Sequence, residues 1–281
     1  MNWDLVEVSR NVHRLRHSFK AGVPFRTLWI SDLHWDNPHC DRNKLKRHLD
    51  QALEINAPII VVGDFFCAMQ GAWDKRKSKD DIRPEHQNGI YLDSLVDTAI
   101  EWFEPYKHIL AVIGYGNHET AILKCHETDL IDRFCGGLRQ RGGIVQPGGY
   151  NGWIQHKFSY TTLRKMFNFY YAHGSGGGAA VTKGQINFNR WREQVTSDAF
   201  IAGHIHRRNS NDQVVVELND HGRIIKSQLD YVRCSTYKDE FEDGAVGWWN
   251  ERQNGPRPLG GYWCEWTYRA KEFHRRWIPT D

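Results

Sequence analysis

The sequence has no cysteine pair at C-x-x-C spacing, no apolar run near the ~18 residues that a bilayer span requires, and little net charge. Each absence excludes a class of protein. The six cysteines, Cys40, Cys67, Cys125, Cys135, Cys234 and Cys264, are scattered over 281 residues. That scatter argues against a zinc finger and for free thiols rather than a disulfide framework. Met1 to Lys20 has no apolar core followed by a cleavage site, so it does not read as a secretory signal. A cytoplasmic protein with no membrane partner is expected. The net charge of +3 is too small to imply a nucleic-acid partner by itself.

What is present suits a packed globular chain: 40% hydrophobic and 25% charged residues. The length supports a single domain over 1–281, with room for a β-rich C-terminal extension from about 212 to 281. There are 15 histidines and 12 tryptophans. The histidines make a metal enzyme worth testing, because neutral imidazole binds transition metals. The tryptophans suggest a large aromatic core.

Short apolar runs at 27–31, 58–63 and 108–114 read as buried strands. Amphipathic segments at 45–55 and 90–103 read as helices, the first capped by Asp41. Buried strands alternating with helices imply βαβ units and a largely parallel sheet. The second half differs. Segments 167–172 and 198–203 read as strands and 185–195 as a helix. Segments 214–218 and 224–232 read as paired strands about the turn 219–222. A further strand fits 260–269. The pattern predicts an α/β chain with two sheets face to face and helices outside.

Ligand-type residues recur after the C-terminal ends of these strands, where open α/β sheets place their sites. In order they are Asp32-x-His34, Gly63-Asp64, Gly116-Asn117-His118-Glu119, His173-Gly174 and Gly203-His204-x-His206. Each piece alone is more often a satisfied loop than a ligand. Their occurrence together, in this order and each time after a strand, is hard to assign to chance.

The set resembles the calcineurin-like metallophosphoesterase family, whose pattern runs D-x-H, G-D, G-N-H-[DE], H, G-H-x-H. The resemblance spans Asp32 to His206. It implies an α/β fold, a four-layer α/β/β/α sandwich of two mixed sheets flanked by helices. It also implies two divalent metal ions, with Mn first among Mn, Fe, Zn and Ni. Asp32, His34, Asp64 and His206 would hold one ion, and Asp64, Asn117, His173 and His204 the other. Two close dications repel, so a shared carboxylate between them is required. In the family a hydroxide bridging the metals attacks phosphorus in line. His118 is then the catalytic imidazole, placed to protonate the leaving oxygen. The sequence departs from the pattern at Cys67, where members carry an acidic residue or histidine that orients that imidazole. Ala68 stands where many have an arginine that grips phosphate monoesters, and its absence favours diesters.

Three features bear on substrate. Lys75, Arg76, Lys77 and Lys79, beside Trp73, could hold a nucleic-acid backbone, or form a solvated loop balanced by Asp80 and Asp81. Gly174-Ser-Gly-Gly-Gly178 could approach an anion or simply turn. Arg207 and Arg208 could neutralise a distal phosphate or be ordinary surface arginines. The resulting expectation is a metal-dependent phosphodiesterase acting on nucleic acid, with DNA first, as a monomer or a homo-oligomer. The alternatives are a phosphoesterase of nucleotides, cyclic nucleotides or phosphoproteins, and a scaffold that no longer catalyses.

Overall fold

Continuous apolar runs become strands where both of their faces find a layer to cover them. The computed structural model describes residues 2–69, 81–160, 163–177, 182, 184–241 and 255–281. In chain order its first strands are β1 (Asn2–Ser9), β2 (Val12–Ser18), β3 (Phe25–Ile30), β4 (Ile59–Val61), β5 (Leu110–Ile113) and β6 (Gln146–Pro147). Then come β7 (Asn151–Tyr160), β8 (Leu163–Ala172), β9 (Ala199–Ala202), β10 (Asn209–Leu218), β11 (Ile224–Arg233), β12 (Tyr262–Arg269) and β13 (Glu272–Pro279). The α-helices are α1 (Arg42–Glu54), α2 (Tyr91–Phe103), α3 (Asn117–His126), α4 (Leu130–Gln140) and α5 (Gln185–Gln194).

One sheet has the order β13-β12-β3-β4-β5-β6 and the other β1-β2-β7-β8-β9-β11-β10. Both are mixed: β3, β4, β5 and β6 are parallel, whereas β12 runs antiparallel to β3. Alternation along β4 shows how the layers form. Ile59 and Val61 face the helical core with Leu45, Leu95 and Phe134, while Ile60 and Val62 face the second sheet with Phe169 and Ile201. On the far side Phe188 of α5 packs on Phe200 and Tyr231. The result is the α/β/β/α sandwich of two mixed sheets that the sequence implied. Its two sheets are tied through the interior: the buried Arg275 of β13 pairs with Asp230 of β11, and Trp277 Nε1 donates to the same carboxylate at 2.8 Å.

Asp41 caps α1, its side chain accepting from Lys44 N at 2.8 Å. All six cysteines are free thiols. Trp263 and Trp266 are core residues; Trp248 and Trp249 lie outside the described residues. The sequence pattern left β1, β2, β6, β7 and β13 unassigned, together with α3 and α4. In β2 the inward positions are His13, Leu15 and His17, so two of three buried residues are polar and the period-2 signal disappears. In α4, Gly136 and Gly137 weaken the helical signal. A Cβ on Gly137 would lie 2.2 Å from Ile100 Cδ1, so the bare position gives that side chain of α2 its room. No helix among the described residues is long and apolar enough to cross a membrane.

The inter-sheet core holds histidines in an aromatic surround. His17 Nε2 lies 3.1 Å from His156 Nδ1, and the rings pack against Phe25, Phe158 and Phe169. Burial, and then each other's proximity, holds His17 well below the usual imidazole range. Burial, and then Arg275, brings His156 down to about 3. Both are neutral when folded and protonate near pH 6.5 when unfolded, so their stabilising effect is complete above pH 6.5 and lost as pH falls toward the folded value. Each then costs about 1.4 kcal/mol per pH unit in that window. His156→Leu is expected to flatten the pH dependence of the unfolding free energy between pH 6 and 5 by about that amount, measured by urea denaturation. An unchanged slope would contradict this reading of the buried pair.

Candidate metal centre

The turns after β3, β4, β5, β8 and β9 meet at one edge of the sandwich, between the two sheets. Backbone bonds zip the first two together: Asp32 N to Gly63 O at 3.0 Å, His34 N to Asp64 O at 3.1 Å and Trp35 N to Phe65 O at 3.0 Å. From the other side Tyr237 N and Thr236 Oγ1 both donate to Asp32 O, at 3.0 and 2.7 Å. The glycine preceding a motif residue permits this crowding. A Cβ on Gly116 would fall 1.9 Å from Asp64 Oδ1, and one on Gly203 would fall 2.0 Å from Ser31 Oγ.

The turns are strained. Ten described non-glycine residues have positive φ. Six of them are Asp32 (51°), His34 (45°), Asp64 (47°), Ala68 (47°), His204 (71°) and His206 (53°). Such backbone costs on the order of 1–3 kcal/mol per residue and survives only where surrounding contacts over-determine it. Its concentration on five ligand-type residues and their neighbouring loop marks this edge as a site.

Two clusters of potential ligands result: Asp32 with His34 and His206, and Asp64 with His173 and His204. In each, the donor atoms lie within 4.8 Å of one another. The clusters adjoin, since His173 Nε2 is 3.1 Å from Asp64 Oδ2 and 4.0 Å from Asp32 Oδ1. His206 Nε2 is 3.1 Å from Asp32 Oδ1 and 3.2 Å from His34 Nε2. Yet Asp32 Oδ1 and His173 Nε2, both buried, satisfy no hydrogen bond. Atoms this close that are not aimed at each other have lone pairs converging on shared points, as ligands do around a cation. Asn117 Oδ1 is likewise buried without a partner. Asn117 opens α3 beside Asp64, whose Oδ1 accepts from His118 N at 3.1 Å.

The remaining contacts orient these groups. His173 Nδ1 donates to Val62 O at 2.8 Å, which directs Nε2 toward the carboxylates. His204 N donates to Asp32 Oδ2 at 2.8 Å. Burial lowers His34 and His204, leaving neutral rings suited to ligation. Burial would raise Asp64, but His173 and His118 hold it well below the usual carboxylate range. For His173, burial is overruled by Asp64 and Asp32, which push it up to about 10. Histidine and carboxylate atoms gathered this closely are compatible with binding divalent metal.

His118 stands apart from the two clusters, its Nε2 3.9 Å from Asp64 Oδ2. Its orienting partner is the backbone of Cys67, not the thiol: His118 Nδ1 donates to Cys67 O at 2.5 Å. Asp36 aims that carbonyl by accepting from Cys67 N at 2.5 Å and Ala68 N at 2.8 Å. Glu119 braces the same loop, accepting from Phe66 N and Gly116 N, each at 2.8 Å. Burial, and then Asp64, pushes Glu119 up to about 8. Behind His204, the buried Arg233 donates to Gly203 O at 2.8 Å and Gly184 O at 2.9 Å. Asp36 and Arg233 lie outside the motif as read from sequence, and Glu119, its closing acidic residue, has no assigned role there. Asp36 continues the alternation of Asp32 and His34. Nothing local signals Arg233.

Arg207 follows His206 directly and is half-buried. Arg208 is structural, donating to Leu259 O at 3.2 Å and Thr280 O at 2.6 Å. In the glycine run, Gly174 O accepts from Tyr150 Oη at 2.5 Å. Trp73, Lys75, Arg76, Lys77, Lys79 and Gly178 lie outside the described residues.

No family model matches the chain, and no curated protein matches it. Among solved structures, GAP50, the anchor in the inner membrane complex of Plasmodium, is similar at 11% identity and a TM-score of 0.43, over 92% of this chain and 85% of that one. A metallophosphoesterase from Sphaerobacter thermophilus is similar at 14% identity and a TM-score of 0.35, over 90% and 89%. A Thermotoga maritima protein solved by NMR is similar at 10% identity and a TM-score of 0.31, over 91% and 99%.

The brace on the Cys67 loop yields a direct expectation. Asp36→Asn replaces an acceptor with an amide facing two backbone N–H donors. It is expected to lower the unfolding free energy by about 1–3 kcal/mol, read by urea denaturation. A neutral substitution would show that Asp36 does not hold this loop.

Proposed function

We propose that the chain is a hydrolase of phosphate esters that uses two divalent metal ions, one held by Asp32, His34, His206 and Asp64, the other by Asp64, Asn117, His173 and His204. The observation that carries the reading is the pair of adjoining clusters with buried, unsatisfied donor atoms at Asp32, His173 and Asn117. Their mixed nitrogen and oxygen character favours Mn, Fe, Zn or Ni over Ca. When bound, such ions neutralise the charge on a phosphoryl group and lower the pKa of a water to near neutrality.

The chain's own residues do the rest. Asp64, shared by the two proposed ion positions, would offset their mutual repulsion. His118 keeps its Nδ1 proton on Cys67 O, so Nε2 is the atom that carries a proton to the leaving oxygen. Only two carboxylates enter the clusters, so the loaded centre is cationic and attracts a phosphate anion. The substrate we assign is a phosphodiester of nucleic acid, DNA before RNA. The absence of an arginine after Cys67 and the cationic run at 75–79 support it. A free nucleotide or other small phosphoester is the competing substrate.

Mn-loaded protein is expected to hydrolyse end-labelled DNA and an aryl phosphodiester faster than the aryl monoester. Hydrolysis of small esters alone would move the substrate to that class, and hydrolysis of none would reject the phosphoesterase reading. His118→Ala is expected to keep its two metal ions and lose about 100- to 10,000-fold in turnover. Metal content falling in step with rate would make His118 a ligand instead.

A further inference from the structure

Cys67 brings a thiol to a centre that otherwise offers only nitrogen and oxygen. Its sulfur, one nitrogen of His34 and one of His118 all lie within 4.8 Å of one another, a third ligand group beside the two already described. Cys67 and His34 are buried, and His118 is partly open to solvent. Three facts bear on what this group can hold. Asn37 Nδ2 already donates to the sulfur at 3.4 Å, so a donor is in place to support negative charge there. His118 has Nδ1 engaged by Cys67 O, which leaves Nε2 as its ligand atom. His34 has Nε2 near His206, while its Nδ1 is buried with no hydrogen-bond partner. A buried nitrogen without a partner is costly unless something supplies one.

We propose that His34, Cys67 and His118 form a third metal position, selective for soft or borderline d10 ions such as Cd²⁺ and Zn²⁺ over Mn²⁺. Thiolate sulfur prefers such ions, whereas Mn²⁺ prefers oxygen donors. A tetrahedral site with bonds of ~2.3 Å to sulfur and ~2.0 Å to nitrogen puts its donor atoms about 3.3–3.6 Å apart. The three donor atoms, all within 4.8 Å of one another, would close to that spacing around an ion. Three protein ligands leave a fourth position for water or an anion. On binding, the Cys67 S–H bond breaks, a sulfur–metal bond forms and the proton leaves to water; both imidazoles bind as neutral ligands and nothing is oxidised. An ion held through His34 Nδ1 and His118 Nε2 would occupy the nitrogen of His118 assigned to proton transfer. A soft ion here is therefore inhibitory. The inhibition rests on the phosphoesterase reading, but the site itself does not, because its binding is read without substrate.

The test uses the full chain carrying Cys125→Ser, which removes the one exposed thiol. Titration with Cd²⁺ alone is expected to produce a sulfur-to-metal charge-transfer band in the ultraviolet with the amplitude of one thiolate. Cys67→Ala should abolish the band. His118→Ala should keep it and weaken apparent Cd²⁺ affinity by about 10-fold or more, as loss of a metal-supporting group does. If Cys67→Ala fails to fold, the His118→Ala arm decides. No band in the parent, a band that survives Cys67→Ala, or an affinity unchanged in His118→Ala would each overturn the proposal.

Discussion

Two buried carboxylates, Asp32 and Asp64, meet in the crevice between the sheets, and the rest of the structure is arranged around the cost of keeping them there. Isolated charges in such surroundings are prohibitive unless paired or bound to a cation. Here the first layer of compensation is imidazole: His173 lies between both carboxylates, His206 beside one and His118 beside the other. The second is backbone, with His204 N on Asp32 and His118 N on Asp64. Neither layer satisfies Asp32 Oδ1 or His173 Nε2. These converging atoms are compatible with a divalent cation between them.

The strained turns are the mechanical side of the same constraint. Bringing ligands from five separate strands to one crevice requires tight reversals, and those at Asp32, His34, Asp64, His204 and His206 adopt left-handed backbone that their side chains disfavour. What holds them is the sandwich itself. The strands that end in these turns are buried on both faces, and the sheets are joined through Arg275 and Asp230. A surface loop could not sustain the same geometry. Rigid strands therefore position the site, while the Cys67 loop, braced by Asp36 and Glu119, aims His118.

Much of this was legible in the sequence, for identifiable reasons. Segments such as 58–63 and 108–114 are apolar on both faces, and that pattern belongs to central parallel strands. Most of the residues brought together at the site follow such strands, and His173 follows the half-exposed β8, so order and position pointed to them before any distance was known. What stayed hidden was written in other terms. Strand β2 buries histidines where a pattern expects leucines. Helix α4 carries two glycines, of which Gly137 lies against Ile100 while Gly136 faces open space. The support for His118 looked doubtful because Cys67 has a poor side chain for it. The structure supplies that support from the Cys67 main chain, which every residue possesses and no motif can display. Arg233 acts on two carbonyls remote in sequence, contacts that composition and spacing do not encode.

The central claim is that the two clusters form one dinuclear centre bridged by Asp64. Crystals soaked in Mn²⁺ and measured at the metal's absorption edge test it most directly. The account predicts two anomalous peaks about 3.5–4 Å apart, one against Asp32, His34 and His206, the other against Asn117, His173 and His204, with Asp64 touching both. A single peak, or none among these residues, would contradict it.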